Sequence, residues 1–462
     1  MPARVLLVSA NTCNLPEAVF PLGLAHVSAA LQQAGHETLW FDVQIPGATL
    51  ADTLREFRPD AVGISLRNID DVQMASQETY YDGVAGMCAL VRAVARCPVV
   101  LGGSGFSMFP ERLLAATGAE YGVVGAGEDA FPRLLEALAR GEPPEDVPGV
   151  LSSRGGTPPS PSVSTLSIRC ATDRPPEIVA HYLRHAGMLN LQTQRGCACR
   201  CCYCTYPLLE GRRRLGRDPR EVAEEMASLA AAGARYVFVV DSIFNSSREH
   251  VLAICEAIVR RKPGVAWGCF LRPQGLDAEQ ARAMARAGLT HAEFGSDSFS
   301  DTVLRAYHKG FRFDDVLHSH RLLRDVRVSS CHFFIAGGPG ETMETLEESL
   351  NNAELLEDTV IVPCVGMRIY PGTWLHRLAL KEGRIDSETD LLRPVYYLAE
   401  NLVLDRIESR LREHGRRAPH WMLRSDSGPF LTMVARLRDR GIAGPLWSYF
   451  SVLQRLTPST GV

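Results

Sequence analysis

Apolar positions in the first 140 residues follow two alternating rhythms. Short continuous apolar runs occur at Val5–Ser9, Thr38–Val43, Ala61–Leu66, Pro98–Leu101 and Tyr121–Val124. Such runs read as strands covered on both faces. Between them, apolar residues recur at helical spacing over Leu22–Ala34, Val84–Ala95 and Ala130–Ala139, with Gly35 placed as a C-cap. Strands alternating with helices predict a doubly wound parallel sheet. Ligands bind such sheets beyond the carboxyl ends of the strands. The loops Arg67–Asp71, Gly102–Ser107 and Gly125–Asp129 are therefore candidate binding loops.

The pattern breaks over 141–187. Pro143-Pro144, Ser152-Ser153-Arg154-Gly155-Gly156 and Pro158-Pro159-Ser160-Pro161 have linker composition. A second series then begins. Strands are expected at Met188–Gln194, Tyr236–Val240, Val265–Phe270, Ala292–Phe294, Cys331–Ile335 and Val365–Ile369. Helical patterns separate them, such as Pro219–Ala232 with Asp218 as N-cap. Six βα units over 188–375 predict a partial or full parallel barrel. Residues 376–462 read as mostly helical, for example Leu402–Glu413, and form a third small domain or a lid over the barrel mouth.

Composition narrows the function. Apolar residues make up 46% of the 462 and charged residues 22%, enough for packed cores and unlike a disordered chain. The net charge of −4 offers no basic footprint for a nucleic-acid or anionic-membrane partner. Lysines stand only at Lys262, Lys309 and Lys381 in an arginine-rich chain. No apolar stretch reaches membrane-span length, and Met1-Pro2-Ala3-Arg4 leads directly into a strand rather than a signal-peptide core. A cytoplasmic location is expected.

Of 13 cysteines, five lie between 197 and 204. Cytosolic thiols stay reduced, so disulfide stapling explains them poorly. Cys88, Cys255 and Cys364 read as small core residues. In Cys197-Ala198-Cys199-Arg200-Cys201-Cys202-Tyr203-Cys204, a C-x-x-x-C-x-x-C spacing fits one register only: Cys197, Cys201 and Cys204. Soft thiolates favour zinc or iron–sulfur centres. Zinc knuckles use paired C-x-x-C units or a nearby His. Cys199 and Cys202 make one such pair, but no second follows. Three thiolates at this spacing instead suit one corner of an iron–sulfur cubane, leaving the fourth iron open.

These residues resemble the radical S-adenosylmethionine (SAM) superfamily, with Arg195-Gly196 before the first cysteine and aromatic Tyr203 before the last. A doubly wound domain ahead of the barrel resembles its cobalamin-binding branch. The resemblance implies an α/β chain with an N-terminal doubly wound (Rossmann-like) cobalamin-binding domain over 1–140. A linker, a partial (βα)6 TIM-like radical SAM barrel over 188–375 and a helical C-terminal tail follow it. The implied cofactors are a [4Fe–4S] cluster on Cys197, Cys201 and Cys204, SAM and cobalamin. For SAM, the resemblance points to Tyr203, to Asp241 and Ser242 as acceptors for the ammonium group, to Ser296 and Asp297 for ribose and carboxylate, and to Gly337 and Gly338 against adenine. Ile369-Tyr370-Pro371-Gly372-Thr373 is expected after the sixth strand, facing the mouth.

Cobalamin domains of the methionine synthase type carry D-x-H-x-x-G after the first strand, whose His ligates cobalt. Here that loop reads Ala10-Asn11-Thr12-Cys13-Asn14-Leu15-Pro16, without a His. Ser65, Leu66, Gly102, Gly103, Ser104 and Gly125 match the slot for the nucleotide tail. Arg67 falls nearest cobalt and, always protonated, cannot ligate it; a salt bridge to Asp70 or Asp71 is the competing role. This segment resembles a tryptophan C-methyltransferase and related natural-product methylases.

The implied activity moves a methyl group from SAM through methylcobalamin to an unactivated carbon of a small natural product, with an indole- or pyrrole-type heterocycle favoured. Tyr307 is the candidate base, and Arg67 the candidate tuning residue. The alternatives are a ring contraction, cyclisation or oxidation with the same cofactors, and a cobalamin sensor with no catalysis. The expected partners are a small-molecule substrate and a reductant such as flavodoxin or ferredoxin, with the chain a monomer.

Overall fold

The computed structural model describes residues 2–14, 17–157, 174–423 and 428–450. Strand β1 (Arg4–Ser9) is buried along almost its whole length, because Val5 and Leu7 feed one apolar cluster and Leu6 and Val8 another. Alternate side chains leave opposite faces of a strand, so β1 is covered on both sides. It sits between β2 (Glu37–Asp42) and β3 (Ala61–Ser65), and β4 (Val99–Gly102) and β5 (Tyr121–Val123) extend the sheet in parallel. The order β2-β1-β3-β4-β5 places the topological switch point between β1 and β3.

Two elements enlarge this unit beyond the sequence expectation. Strands β6 (Val150–Ser152) and β7 (Gly155–Gly156) add antiparallel to β5, making seven strands. A stretch with linker composition thus begins as sheet edge, and the helix Pro176–His185 follows it. Pro158-Pro159-Ser160-Pro161 lies outside the described residues. Short helices at Leu50–Phe57 and Pro110–Thr117 were also absent from the sequence reading.

The second unit is a six-stranded parallel sheet that curves as a partial barrel. Its strands are β8 (Leu189–Leu191), β11 (Tyr236–Val239), β12 (Ala266–Leu271), β13 (Leu289–Asp297), β14 (Ser329–Ala336) and β15 (Thr359–Val365), in the order β15-β14-β13-β12-β11-β8. A small antiparallel pair, β9 (Gln194–Arg195) and β10 (Leu215–Gly216), follows β8 and frames the cysteine loop. Asp218 caps the next helix, Pro219–Ala231, by accepting from the Arg220 N–H at 2.8 Å.

The sixth barrel strand is a correction. It runs over Thr359–Val365, not Val365–Ile369. It contains Pro363, and β15 is the edge of its sheet, where a missing N–H is tolerated. The segment Met367–Arg368 is a separate strand, β16, antiparallel to β17 (Tyr396–Tyr397). The tail segment around Trp421 covers the β15 edge, with Ile361 N–H donating to His420 O and Met422 N–H to Ile361 O, both at 2.8 Å. The tail is more than a mouth lid. Ala399 N–H binds Gly337 O at the mouth, while Gly444 N–H binds Gly187 O and Trp447 reaches Glu293 from the opposite end. Among the described residues no helix is long and apolar enough to cross a membrane.

Buried charge fixes the two units against each other. Asp70, in the loop after β3, accepts from Arg368 Nε at 2.9 Å, with side-chain exposures of 0% and 1%. The remaining guanidinium donors bind Ile369 O at 2.7 Å and Leu391 O at 2.8 Å. A second bridge joins Glu128, at the start of the helix Gly127–Arg140, to Arg195 in β9 at 2.5 Å. The Arg195 charge holds Glu128 down at about 2 against the effect of burial. Removing one partner from a dry pair leaves an uncompensated charge. Arg368→Met is expected to lower stability by about 3–5 kcal/mol in urea unfolding. Adding Asp70→Asn to it is expected to recover much of that loss.

Candidate active site at the domain interface

The loop 196–204 is shaped by its own backbone. Gly196 takes φ +88° and sets the turn into Cys197. Its N–H donates to Glu210 Oε2 at 3.1 Å, and Cys197 N–H donates to Gly211 O at 3.0 Å. Further along, Cys202 N–H binds Tyr307 O at 3.0 Å and Cys202 O receives Leu375 N–H at 2.8 Å. Cys202 is fully buried with its sulfur 3.8 Å from Met367 Sδ, whereas Cys199 is half-buried and receives Arg272 Nη1 at 3.1 Å. The two extra cysteines therefore have separate surroundings, one in the core and one against Arg272. Cys197, Cys201 and Cys204 are unpaired thiols on the one loop. Among the described residues no three His, Cys, Asp or Glu gather closely enough for a single metal ion. Thiolates sharing one zinc at about 2.3 Å would stand close together; thiolates on separate irons of a cluster need not. The donor set fits an iron–sulfur cluster. Chiefly through a hydrogen bond from Cys199, the Cys197 thiol is drawn down to about 6, the form a metal requires. Cys88 and Cys255 are core residues as expected, but Cys364 is only half-buried.

Strand parity sorts the expected SAM contacts. In β13, Phe294 stacks on His332 at 4.9 Å, and Ser296 binds His332 Nδ1 at 2.8 Å. Phe294 and Ser296 share the outer, helix-covered face, so Ser296 is turned away from the mouth. Asp297 is buried at φ +63° and accepts from Lys309 Nζ at 2.6 Å and from the Tyr203 hydroxyl. Asp241 is likewise committed. It accepts from Thr193 N at 2.7 Å, Gln194 N at 3.1 Å and the Thr193 hydroxyl, and burial pushes it up to about 7. It braces the first barrel strand, with Oδ1 taken by two backbone N–H groups and the whole side chain buried. Ser242 is half-buried beside the loop, 3.4 Å from Gly196 O. Gly337 and Gly338 do form a turn at the mouth, Gly337 at φ +91° and anchored on Glu341.

Tyr307 is corrected from base to brace. Its ring is fully buried, its hydroxyl donates to Ile335 O at 2.9 Å, and it accepts from Gly338 N at 3.0 Å. Burial holds its pKa well above the ordinary phenol value, the opposite of what a base needs. Ile369-Tyr370-Pro371-Gly372-Thr373 follows β16 instead of ending the sixth strand, and Thr373 caps the helix Trp374–Lys381.

The N-terminal unit gathers its candidates at the carboxyl ends of β3, β4 and β5. Leu66 N–H donates to Gly102 O at 2.8 Å, extending the β3–β4 ladder from Ser65 into Leu66. Gly103 takes φ +96°, and a Cβ there would lie 2.5 Å from Leu66 O. Ser104 donates to Arg67 O at 2.9 Å, and Gly125 N–H reaches Ser107 Oγ at 2.9 Å. Small residues thus let the ends of β3 and β4 pack closely where the nucleotide tail is expected. Arg67 is half-buried and donates to Asn68 Oδ1 at 2.6 Å. Its expected carboxylate partner Asp70 is taken by Arg368, and no ion pair to Arg67 occurs among the described residues. Burial lowers its pKa, while Cys13 and Tyr206 lie within its electrostatic range. A half-buried cation with no anion fits a face that a bound group covers.

Three further residues escaped the sequence reading. Lys309 is buried next to the cysteine loop; its rarity in an arginine-rich chain was the available signal. Arg272, at the end of β12, holds Cys199 and Lys309 O. Glu293 occupies an inward position of β13, because its neighbours Phe294 and Ala292 pack outward. It is half-buried and accepts from Trp447 Nε1 at 2.9 Å. The inner face around it is aromatic, with Phe270 5.0 Å from Phe238 and 6.5 Å from Phe333. These inward side chains fall into two small clusters apart from the outer core, so the lumen walls face each other across the β13 strip.

Comparison with known proteins agrees with both halves. The radical SAM superfamily model matches residues 191–353, and the B12 binding domain model matches 9–135. The tryptophan 2-C-methyltransferase of Streptomyces laurentii is 28% identical over 443 residues, covering 79% of this chain and 73% of that one. The cytidylyl-2-hydroxyethylphosphonate methyltransferase of Streptomyces wedmorensis is 24% identical, covering 85% and 84%. The solved structure of the radical SAM methyltransferase TsrM from Kitasatospora setae, with cobalamin and a [4Fe–4S] cluster bound, superposes with a TM-score of 0.89 at 26% identity, covering 99% of this chain and 98% of that one. Both domain matches, the curated relatives and the superposed structure converge: the chain belongs to the cobalamin-binding radical SAM enzymes, in the branch that contains methyltransferases.

Proposed function

We propose that this enzyme moves a methyl group from SAM, by way of cobalamin, to a carbon of a small N–H heteroaromatic substrate of indole or pyrrole type. The observation that carries the reading is the apposition of the two binding faces. The helix Ser104–Met108, from the cobalamin side, packs against Tyr206–Leu209, which directly follows the cysteine loop. Arg67 and Tyr206 lie within electrostatic range of each other at that boundary. When bound, the cobalamin and the cluster supply the methyl-transfer and electron chemistry.

The chain's own residues position and exclude. Gly103 lets the end of β4 approach Leu66 closely, leaving no side chain of its own against the cofactor, and Arg67 sets a positive charge beside it. The aromatic walls of the lumen suit a flat substrate, and Glu293 offers an acceptor for its N–H or ammonium group. The tail seals the far end of the barrel through Trp447 and keeps water from that side. The two methyltransferase relatives support methyl transfer over a rearrangement. A low-potential electron donor such as flavodoxin or ferredoxin is the partner that the cluster implies.

Anaerobically loaded protein, given SAM and a panel of indoles and pyrroles that includes L-tryptophan, is expected to yield a product heavier by one methyl. 5′-Deoxyadenosine with an unmethylated, rearranged product would refute this reading. Replacing Cys197, Cys201 and Cys204 together by Ala is expected to abolish iron uptake and methylation. Cys199→Ser with Cys202→Ala should retain about four irons per chain.

Glu293→Ala is expected to raise KM for the methylated substrate about tenfold or more with kcat little changed, the loss of one hydrogen bond to a charged group. Burial holds Glu293 at about 7. Its carboxylate form is therefore lost as pH falls through 7. Affinity for a substrate bearing an ammonium group should weaken toward pH 6 in the wild type, and Glu293→Gln should flatten that dependence.

A further inference from the structure

One ion pair at the mouth is not absorbed by the functional reading. Lys309 and Asp297 lie 2.6 Å apart with side-chain exposures of 6% and 4%. A buried pair of this kind adds little net stability over apolar packing and is weak evidence of a purely structural purpose. Its placement is specific. Asp297 also accepts the hydroxyl of Tyr203, whose neighbour in sequence is Cys204. Lys309 Nζ stands 5.9 Å from the Tyr203 ring centroid and 5.6 Å from that of Phe311. The Lys309 carbonyl is pinned by Arg272 Nη2 at 2.7 Å, and Arg272 Nη1 holds Cys199. Cys202 N–H is tied to Tyr307 O, two residues before Lys309. Both ends of the ion pair are therefore locked to the cysteine loop. Through Tyr203, which lies between Cys202 and Cys204, the pair stands beside the segment that carries Cys201 and Cys204.

We propose that Lys309 and Asp297 are positioning residues that form a fixed dipole beside the cluster of Cys197, Cys201 and Cys204 and set its reduction potential. This rests on the reading that those cysteines hold a cluster. Reduction adds one electron from a low-potential donor, forms no bond and takes up no proton. In a low-dielectric site a nearby cation stabilises the added negative charge and a nearby anion opposes it. The two residues therefore act with opposite signs, whereas a pair that only braces the loop has no sign at all.

The test uses the holoprotein, loaded with cluster and cobalamin but without SAM, titrated with dithionite and redox mediators and followed by electron paramagnetic resonance. Lys309→Met is expected to make reduction about tenfold less favourable, a shift of about 59 mV to lower potential for one electron. Asp297→Asn should shift the potential upward, and the double variant should return close to the wild type. Lys309→Arg should keep the wild-type value. Iron content is measured for each. Shifts of the same direction in the two single variants, or no shift with iron intact, would overturn the dipole. Loss of iron in both charge-removing variants while Lys309→Arg loads normally would assign the pair to loop bracing and overturn it as well. Effects seen only when SAM is present would make Lys309 a SAM contact instead. Absence of iron from the wild type would refute the cluster reading itself.

Discussion

Everything at this site depends on holding two separately folded faces in register, and the Asp70–Arg368 pair carries that constraint. Asp70 lies in the same loop as Arg67, three residues further along. Arg368 lies in β16, just after the last barrel strand. With both side chains essentially dry, the pair cannot slide or exchange for water without leaving a naked charge. It also decides the chemistry of Arg67. Because Asp70 is taken by Arg368, Arg67 has Asn68 Oδ1 as its side-chain partner and no ion pair among the described residues. Binding and docking are thus one arrangement, seen from two residues of one loop.

The cysteine loop shows a similar economy. It has no sheet or helix of its own between β9 and Tyr206, so its backbone groups find partners in neighbours: Glu210, Gly211, Tyr307 and Leu375. Tyr307 serves two sites at once, its carbonyl on Cys202 and its hydroxyl on Gly338. The cluster loop and the glycine-rich turn therefore share a support. This explains why a tyrosine near the mouth is buried to its hydroxyl: a phenol that gave up its proton would lose its bond to the Ile335 carbonyl.

The alternation of strands and helices was legible in the chain because β1, β3 and β4 are buried on both faces and read as continuous apolar runs. Cys197, Cys201 and Cys204 stood out by their spacing, and the family resemblance gave that spacing its reading. What resisted reading was everything that depends on parity or on distant partners. Ser296 and Asp297 are adjacent, yet one faces the helices and the other the mouth, a difference invisible until the register with β14 is known. Asp241 looked available because its three donors come from residues 193 and 194, far away in sequence. The sixth barrel strand is expected at Val365–Ile369, but that apolar run begins where β15 ends and holds the separate β16, and nothing local tells the two apart. The tail's reach to both barrel ends had no local signal at all.

Parity also explains the character of the lumen. In β13 the outward positions are Ala292, Phe294 and Ser296, and the inward ones are His291, Glu293 and Gly295, the last lying 3.9 Å from Lys309 Nζ at its would-be Cβ. One strand thus presents an apolar face to the helices and a polar, sterically graded face to the lumen. The side chain grows from none at Gly295, beside the mouth, to a carboxyl at Glu293 and a ring at His291, which packs on Trp447 at 5.3 Å. Phe238, Phe270 and Phe333 pack ring to ring on this inner face, and the carboxyl of Glu293, half-buried, is bound there by Trp447 Nε1. A carboxyl so placed is costly unless a donor meets it, so the parity of β13 and the indole of the tail together keep an acceptor where an apolar residue would only extend the core.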